Sequence, residues 1–178
     1  ANADDERIPP LARSSLKALS AQLLSLEREL VVCERRILGW HQGSEVSRRL
    51  ESIPGIGPIT ASALAATIAD PSLFKSGREM AAWIGLVPRQ NSSGGKTRLG
   101  RISKRGDQYL RWLLVAGAMS VVNNAKRGGK PSPWLAKMIA NKPTKVAAVA
   151  LANKNARVAW VLLKHGGTYQ KPATIAAD

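Results

Sequence analysis

"LESIPGIGPITASALAATIAD", Leu50 to Asp70, decides how the rest of the chain is read. A short helical run meets Gly55-Ile56-Gly57, and Pro58 then opens a second, alanine-rich run. Glycines this close together let a backbone turn tightly with nothing projecting from it. The spacing reads as a helix-hairpin-helix-like motif, whose turn and following helix N-terminus can offer N–H groups to a phosphate without reading sequence. The same residues also read as a helix C-cap followed by a proline in the first turn of the next helix, a purely structural role. Both readings are helix, turn, helix. No alternating period-two pattern stands out elsewhere, so the expected fold is all-α.

On the N-terminal side, apolar residues fall at Leu16, Leu19, Leu23, Leu26, Leu30, Cys33, Ile37 and Trp40, an unbroken alternation of gaps of 3 and 4. Such a heptad seam averages about 3.5 residues per turn, below the about 3.6 of a straight helix, so it winds left-handed against a partner helix. Glu27, Arg28, Glu34 and Arg35 keep the other faces wet. A long two-chain coiled coil is expected, with self-association through it. The alternative is a helix that packs its stripe on its own domain. The seam is expected to end near Gly39 and Gly43.

On the C-terminal side, Ser76 reads as an N-cap, Met80, Ala81, Trp83 and Ile84 as a buried helix face, and Gly85 as a stop. "GLVPRQNSSGGKTRLGRISKRG", Gly85 to Gly106, follows, a loop both flexible and cationic. From Val87 to Lys130 the basic residues are Arg89, Lys96, Arg98, Arg101, Lys104, Arg105, Arg111, Lys126, Arg127 and Lys130, against the single acid Asp107. "DQYLRWLLVAGAMSVVNNA" is apolar round most of its circumference from Tyr109 to Val122 and reads as a central core helix. Two further helices are expected. The second runs from about Thr144 to His165, buries Val146, Val149, Ala150, Val158, Val161 and Leu162, and stops at Gly166 and Gly167. The expected organisation is a tail and coiled-coil arm over 1–48, a compact helical domain over 49–168, and a disordered tail over 169–178.

The chain of 178 residues carries 27 Lys+Arg against 12 Asp+Glu, a formal charge of +15, which calls for a polyanionic partner, above all nucleic acid. No uninterrupted run of about twenty apolar residues is present, and "ANADDERIPP" is too acidic for a signal peptide, so a cytoplasmic location without a membrane is expected. The opening at Ala1 without methionine points to a fragment of something longer. Cys33 is the only cysteine, which excludes an internal disulfide, and His41 and His165 lack metal-ligand spacing. The acids are scattered, so no metal site is expected here. A Ser-His-Asp arrangement also finds no support, with His41 beside the arm and His165 at a helix end. What remains is Ser92 or Ser93 in a cationic glycine loop, where surrounding charge would stabilise the anion that develops as a hydroxyl attacks a phosphodiester. Such a loop also serves as a plain connection. From local charge, Arg89, Lys96, Arg98, Arg101, Lys104 and Arg105 are candidate phosphate contacts, beside Gly55 and Gly57 of the hairpin.

The block from Ser52 to Ala118, with the glycine hairpin, "WIGLVPRQ", "SSGGKTRLG" and "KRGDQYLR" in order, resembles the C-terminal transposase domain of the bacterial insertion-sequence family one-ten, relatives of the Piv-type DNA invertases. The likeness extends through "KVAAVALANKNARVAWVLLKHGGTY", where Asn155 stands in place of an expected apolar residue. The resemblance implies a serine-dependent DNA recombinase of the bacterial cytoplasm, associated with the nucleoid. It places the nucleophile that forms a phosphoserine at Ser93, with Ser92 as fallback. It further implies a separate N-terminal RuvC-like domain whose DEDD carboxylates hold Mg2+, no cofactor in the present segment, and a structured bridge RNA that guides the protein on DNA. A different class of function, a non-catalytic helix-hairpin-helix module gripping DNA or RNA backbone, accounts for the charge equally well.

Overall fold

The computed structural model describes residues 8–90 and 99–170. Among them the fold is all-α apart from one two-stranded ribbon. The chain divides into two compact units, residues 1–40 and 41–178.

Helix α1 spans Pro10–Gly43. Leu16, Leu19, Leu23, Leu26 and Leu30 are all exposed along it, as are Cys33, Ile37 and Trp40. Gly39 lies within the helix, which ends at Gly43, inside the stretch where the seam is expected to end. One glycine costs a helix interior only about 1 kcal/mol, which the intact turns on either side tolerate.

In the second unit α2, Glu45–Glu51, is capped by Ser44, whose hydroxyl accepts from the Ser47 N–H at 3.2 Å. A turn leads into α3, Pro58–Thr67, with its proline in the first turn, where a missing N–H costs nothing. Ile53 and Ile56 of the turn are buried. Asp70 caps the 3₁₀ turn Pro71–Leu73, and hydrogen bonds from the Ser72 side chain and then its backbone hold the exposed carboxyl below the usual carboxylate range. Helix α4, Gly77–Trp83, starts at Ser76, whose hydroxyl accepts from the Glu79 N–H at 3.3 Å. The ribbon follows as β1, Pro88–Gln90, and β2, Leu99–Ile102, and then α5, Gln108–Lys126, α6, Pro133–Asn141, and α7, Thr144–His165.

Helix α7 is the axis of this unit and packs against α2, α4, α5 and α6. Its buried face is Ala147, Ala148, Leu151, Ala152, Asn155, Ala156, Ala159 and Leu162. Small side chains recurring every three or four residues leave a smooth stripe, onto which the Leu110, Leu114, Ala118 and Val122 face of α5 can settle closely. The valine face expected to be buried therefore is not: Val146 is 48% and Val161 44% exposed, and Leu162 alone of that set is buried. Helix α5 is likewise buried on one side rather than all round, with Tyr109 56% and Trp112 63% exposed and stacked on each other. Trp83 is also exposed, whereas Met80, Ala81 and Ile84 are fully buried as expected. Among the described helices α7 alone is long and apolar enough to cross a membrane, and its alanine stripe is packed inside the unit.

Asn155 is buried and donates from Nδ2 to the Pro54 carbonyl at 2.8 Å. That bond ties α7 to the α2–α3 turn. The turn is pinned again by Gly55, at φ +89°, which lies so close to Gly117 of α5 that a Cβ on Gly117 would run into the Gly55 carbonyl. Two backbones can approach this closely only where both residues lack a Cβ.

Candidate nucleic-acid interface

The cationic segment is built on a ribbon, which the absence of an alternating pattern did not announce. Strand β1 pairs antiparallel with β2, Pro88 opposite Ile102 and Gln90 opposite Leu99. Two steps along β1 match three along β2, so β2 carries one extra residue, and such a bulge strengthens local twist. Strands this short hold too few side chains to write a period-two signature.

Below the strands the segment is clamped. Ser103 N–H donates to the Val87 carbonyl at 2.9 Å and Lys104 N–H to the Gly85 carbonyl at 3.1 Å. Arg111, reaching back from α5, donates from Nη1 to the Ile84 carbonyl at 2.9 Å. Gly85 (φ +83°) and Gly106 (φ +95°) both take left-handed backbone conformations there. A Cβ on Gly85 would meet the Arg105 carbonyl, and one on Gly106 the Trp83 carbonyl. Lys104, at φ 55°, is the one non-glycine left-handed residue among those described, a conformation that costs energy and persists only where neighbours hold it. Asp107, the lone acid of the segment, accepts from the Leu110 N–H at 2.8 Å and caps α5. Its carboxylate is engaged in starting a helix.

Of the sequence-derived candidates, Arg89, Arg101, Lys104 and Arg105 are exposed and come together on the ribbon and its base. Arg89 is steadied by donating from Nη2 to the Ser103 carbonyl at 3.2 Å. Gly55 and Gly57 lie apart from them on the α2–α3 turn. Gly55 is engaged in packing against α5, whereas Gly57 is exposed at the N-terminus of α3, with nothing within 4 Å of where a Cβ would sit. Ser92, Ser93, Lys96 and Arg98 lie outside the described residues.

Two features escaped the sequence reading. The first is a groove of about 1310 Å³ between the ribbon, the start of α4, α6 and the valine face of α7, in which Arg78, Lys145, Lys154 and Arg157 join Arg101 and Lys104. Its signal was present in the second apolar stripe of α7, which was assigned to the core. The second is the environment of His41, which is 5% exposed. Its Nδ1 lies 2.7 Å from Ser47 Oγ and its Nε2 3.0 Å from Glu51 Oε2. A serine, a histidine and a carboxylate thus do meet, but Ser47 is fully buried and no substrate reaches its hydroxyl. The trio joins the last turn of α1 to α2. Among the described residues no group of three or more His, Cys, Asp or Glu stands together.

These features define a cationic, all-α domain that displays basic side chains on a clamped ribbon and beside an apolar groove. Residues 47–131 match the profile of the Transposase IS116/IS110/IS902 family, and the chain carries a transposase domain of that family. It is 48% identical over 156 residues, 87% of its own length, to a Pseudomonas aeruginosa protein named "Probable family 20 transposase", of which it covers 46%. It is 38% identical over 164 residues to the transposase for insertion sequence element IS1111A of Coxiella burnetii, covering 92% of this chain and 45% of that protein. It is also 38% identical over 169 residues to the transposase for insertion sequence element IS1328 of Yersinia enterocolitica, covering 94% of this chain and 51% of that one. The chain thus spans about half the length of the curated relatives it matches.

Proposed function

We propose that this chain is the serine-bearing, DNA-binding part of an insertion-sequence transposase that cuts and rejoins DNA through a phosphoserine at Ser93, at the nucleoid of the bacterial cytoplasm. The observation that carries the reading is the family match, with relatives named as transposases for insertion sequence elements. The clamped ribbon supports it, because residues 91–98, Ser93 among them, connect two strands held at their base by Gly85, Gly106 and Arg111. Rigid elements that flank a loop are how scaffolds commonly position reactive groups.

In the proposed step Ser93 Oγ forms a bond to phosphorus and gives its proton to a base. One P–O ester bond breaks, and the released sugar oxygen takes up a proton. Arg89, Arg101, Lys104 and Arg105, with Lys96 and Arg98, hold the phosphate and stabilise the charge that develops on its oxygens. The base and any Mg2+ belong to a DEDD domain elsewhere in the full-length protein, and none of the roles given to this chain's residues runs through the metal. A structured RNA guides the complex and shares the positive surface. Self-association runs through the exposed leucine stripe of α1. The exposed Gly57 at the start of α3 favours a second reading, a module that only grips nucleic-acid backbone through the α2–α3 turn.

The two readings separate in the full-length protein supplied with its RNA and Mg2+. Ser93→Ala abolishes the covalent protein–DNA adduct and leaves binding nearly unchanged, while Ser92→Ala retains the adduct. An adduct that survives Ser93→Ala but not Ser92→Ala moves the nucleophile by one residue. Survival in both removes the serine mechanism.

A further inference from the structure

The valine face of α7 is only partly covered although it is apolar, with Val146 and Val161 exposed and Val149 and Val158 half-buried. Val146, Val149, Val158 and Val161 form a floor, with the indoles of Trp134 and Trp160 beside it. Trp160 is fixed by donating from Nε1 to the Pro71 carbonyl at 3.1 Å, and Lys154 Nζ lies 4.6 Å from the Trp134 ring centroid. Among the described residues every charged one lining the groove is a cation: Arg78, Arg101, Lys104, Lys145, Lys154 and Arg157. At about 1310 Å³ the groove exceeds the about 300–1,000 Å³ of a site for one small ligand, so it suits a length of polymer.

We propose that this groove binds unpaired nucleic acid, with bases lying on the valine and indole floor and phosphates on the cationic rim. The inference rests on the nucleic-acid reading above and goes further, since that reading needs only backbone contacts. Charge complementarity selects a polyanion. The apolar floor then selects among polyanions, because a duplex presents phosphates outward and keeps its flat base faces stacked on each other, whereas an unpaired strand offers both at once. Arg101 and Ile102 of the ribbon form one wall.

The test compares three probes of equal length on the full chain at one salt concentration: a short oligodeoxythymidylate, the same sugar-phosphate strand without bases, and a duplex. The base-bearing strand should bind about tenfold or more tighter than the abasic one. Trp134→Ala should remove that difference and leave abasic and duplex binding unchanged, Trp134→Phe should restore it, and Val161→Asp should weaken the base-bearing strand. Circular dichroism confirms that each variant is folded. Equal binding of base-bearing and abasic strands overturns the groove proposal and leaves the nucleic-acid reading standing, as does a Trp134→Ala variant that weakens all three probes alike. If Val161→Asp changes the sedimentation coefficient and not strand binding, the groove belongs to a protein partner and the proposal fails. No binding of any probe sinks the nucleic-acid reading, and the groove with it.

Discussion

Replacing Asn155 with leucine is the sharpest test of how the α2–α3 turn is held, because an apolar residue is what the sequence reading expects there. If the site were an ordinary core position, leucine would be neutral or stabilising. The structure says otherwise. Asn155 is 4% exposed on the alanine face of α7, and its Nδ2 donates to the Pro54 carbonyl at 2.8 Å. Losing that bond costs about 0.5–1.5 kcal/mol net, and more would follow only if the carbonyl could not reach water. Pro54 itself is exposed, so the lower range applies. Leucine keeps the branching of asparagine, but its two methyl groups are bulkier than the amide oxygen and nitrogen and must fit a face lined mostly with alanines, and overpacking of this kind costs about 1–3 kcal/mol. Together these come to about 3 kcal/mol. With a urea dependence of about 2 kcal/mol per molar, the unfolding midpoint should fall by about 1.5 M, followed by circular dichroism. Asn155→Ala, which loses the bond without overpacking, separates the two causes. A leucine variant with an unchanged or higher midpoint would refute the account of the turn.

Gly106→Ala forces a Cβ against the Trp83 carbonyl at a φ of +95°, a strain of about 1–3 kcal/mol, and should open the base of the ribbon; hydrogen exchange of the Ser103 and Lys104 amides should quicken, and unchanged protection would contradict the clamp. Leu23→Lys together with Leu30→Lys puts charges into the α1 stripe and should turn a self-associating chain into a monomer by sedimentation; a monomeric parent chain would end the coiled-coil reading. If the chain neutralises about six to ten phosphates, its affinity for duplex DNA should drop about a thousandfold or more between about 50 and 200 mM salt, and a nearly flat salt response would remove the electrostatic argument.

Much of the site's frame was legible because it rests on local chemistry. The cap at Ser76, the stop at Gly85 and the last helix from Thr144 to His165 with Gly166 behind it all depend on residues a few positions apart, and each stands where it was expected. The exposure of Arg89, Arg101, Lys104 and Arg105 followed from the cost of burying charge in so one-sided a stretch. The ribbon was not legible, since strands of three and four residues are set by their partner rather than by their own pattern.

Sequence by itself determined most of the helices, most of their ends and the cationic character of the chain, because periodicity, caps and charge are properties of neighbouring residues, and the order of its motifs carried the likeness to the transposase family. Only the tertiary structure decided which stripe of α7 became core. By hydrophobicity Val146, Val149, Val158 and Val161 outrank the alanines, yet two helices in close contact need small side chains between their backbones, so the alanine stripe went inward and the valines were left to line a groove. The same constraint acts where Gly55 meets Gly117. Neither glycine reveals its partner in sequence, and only their meeting across the fold shows that Gly55 is held by packing while Gly57, two residues on, remains open.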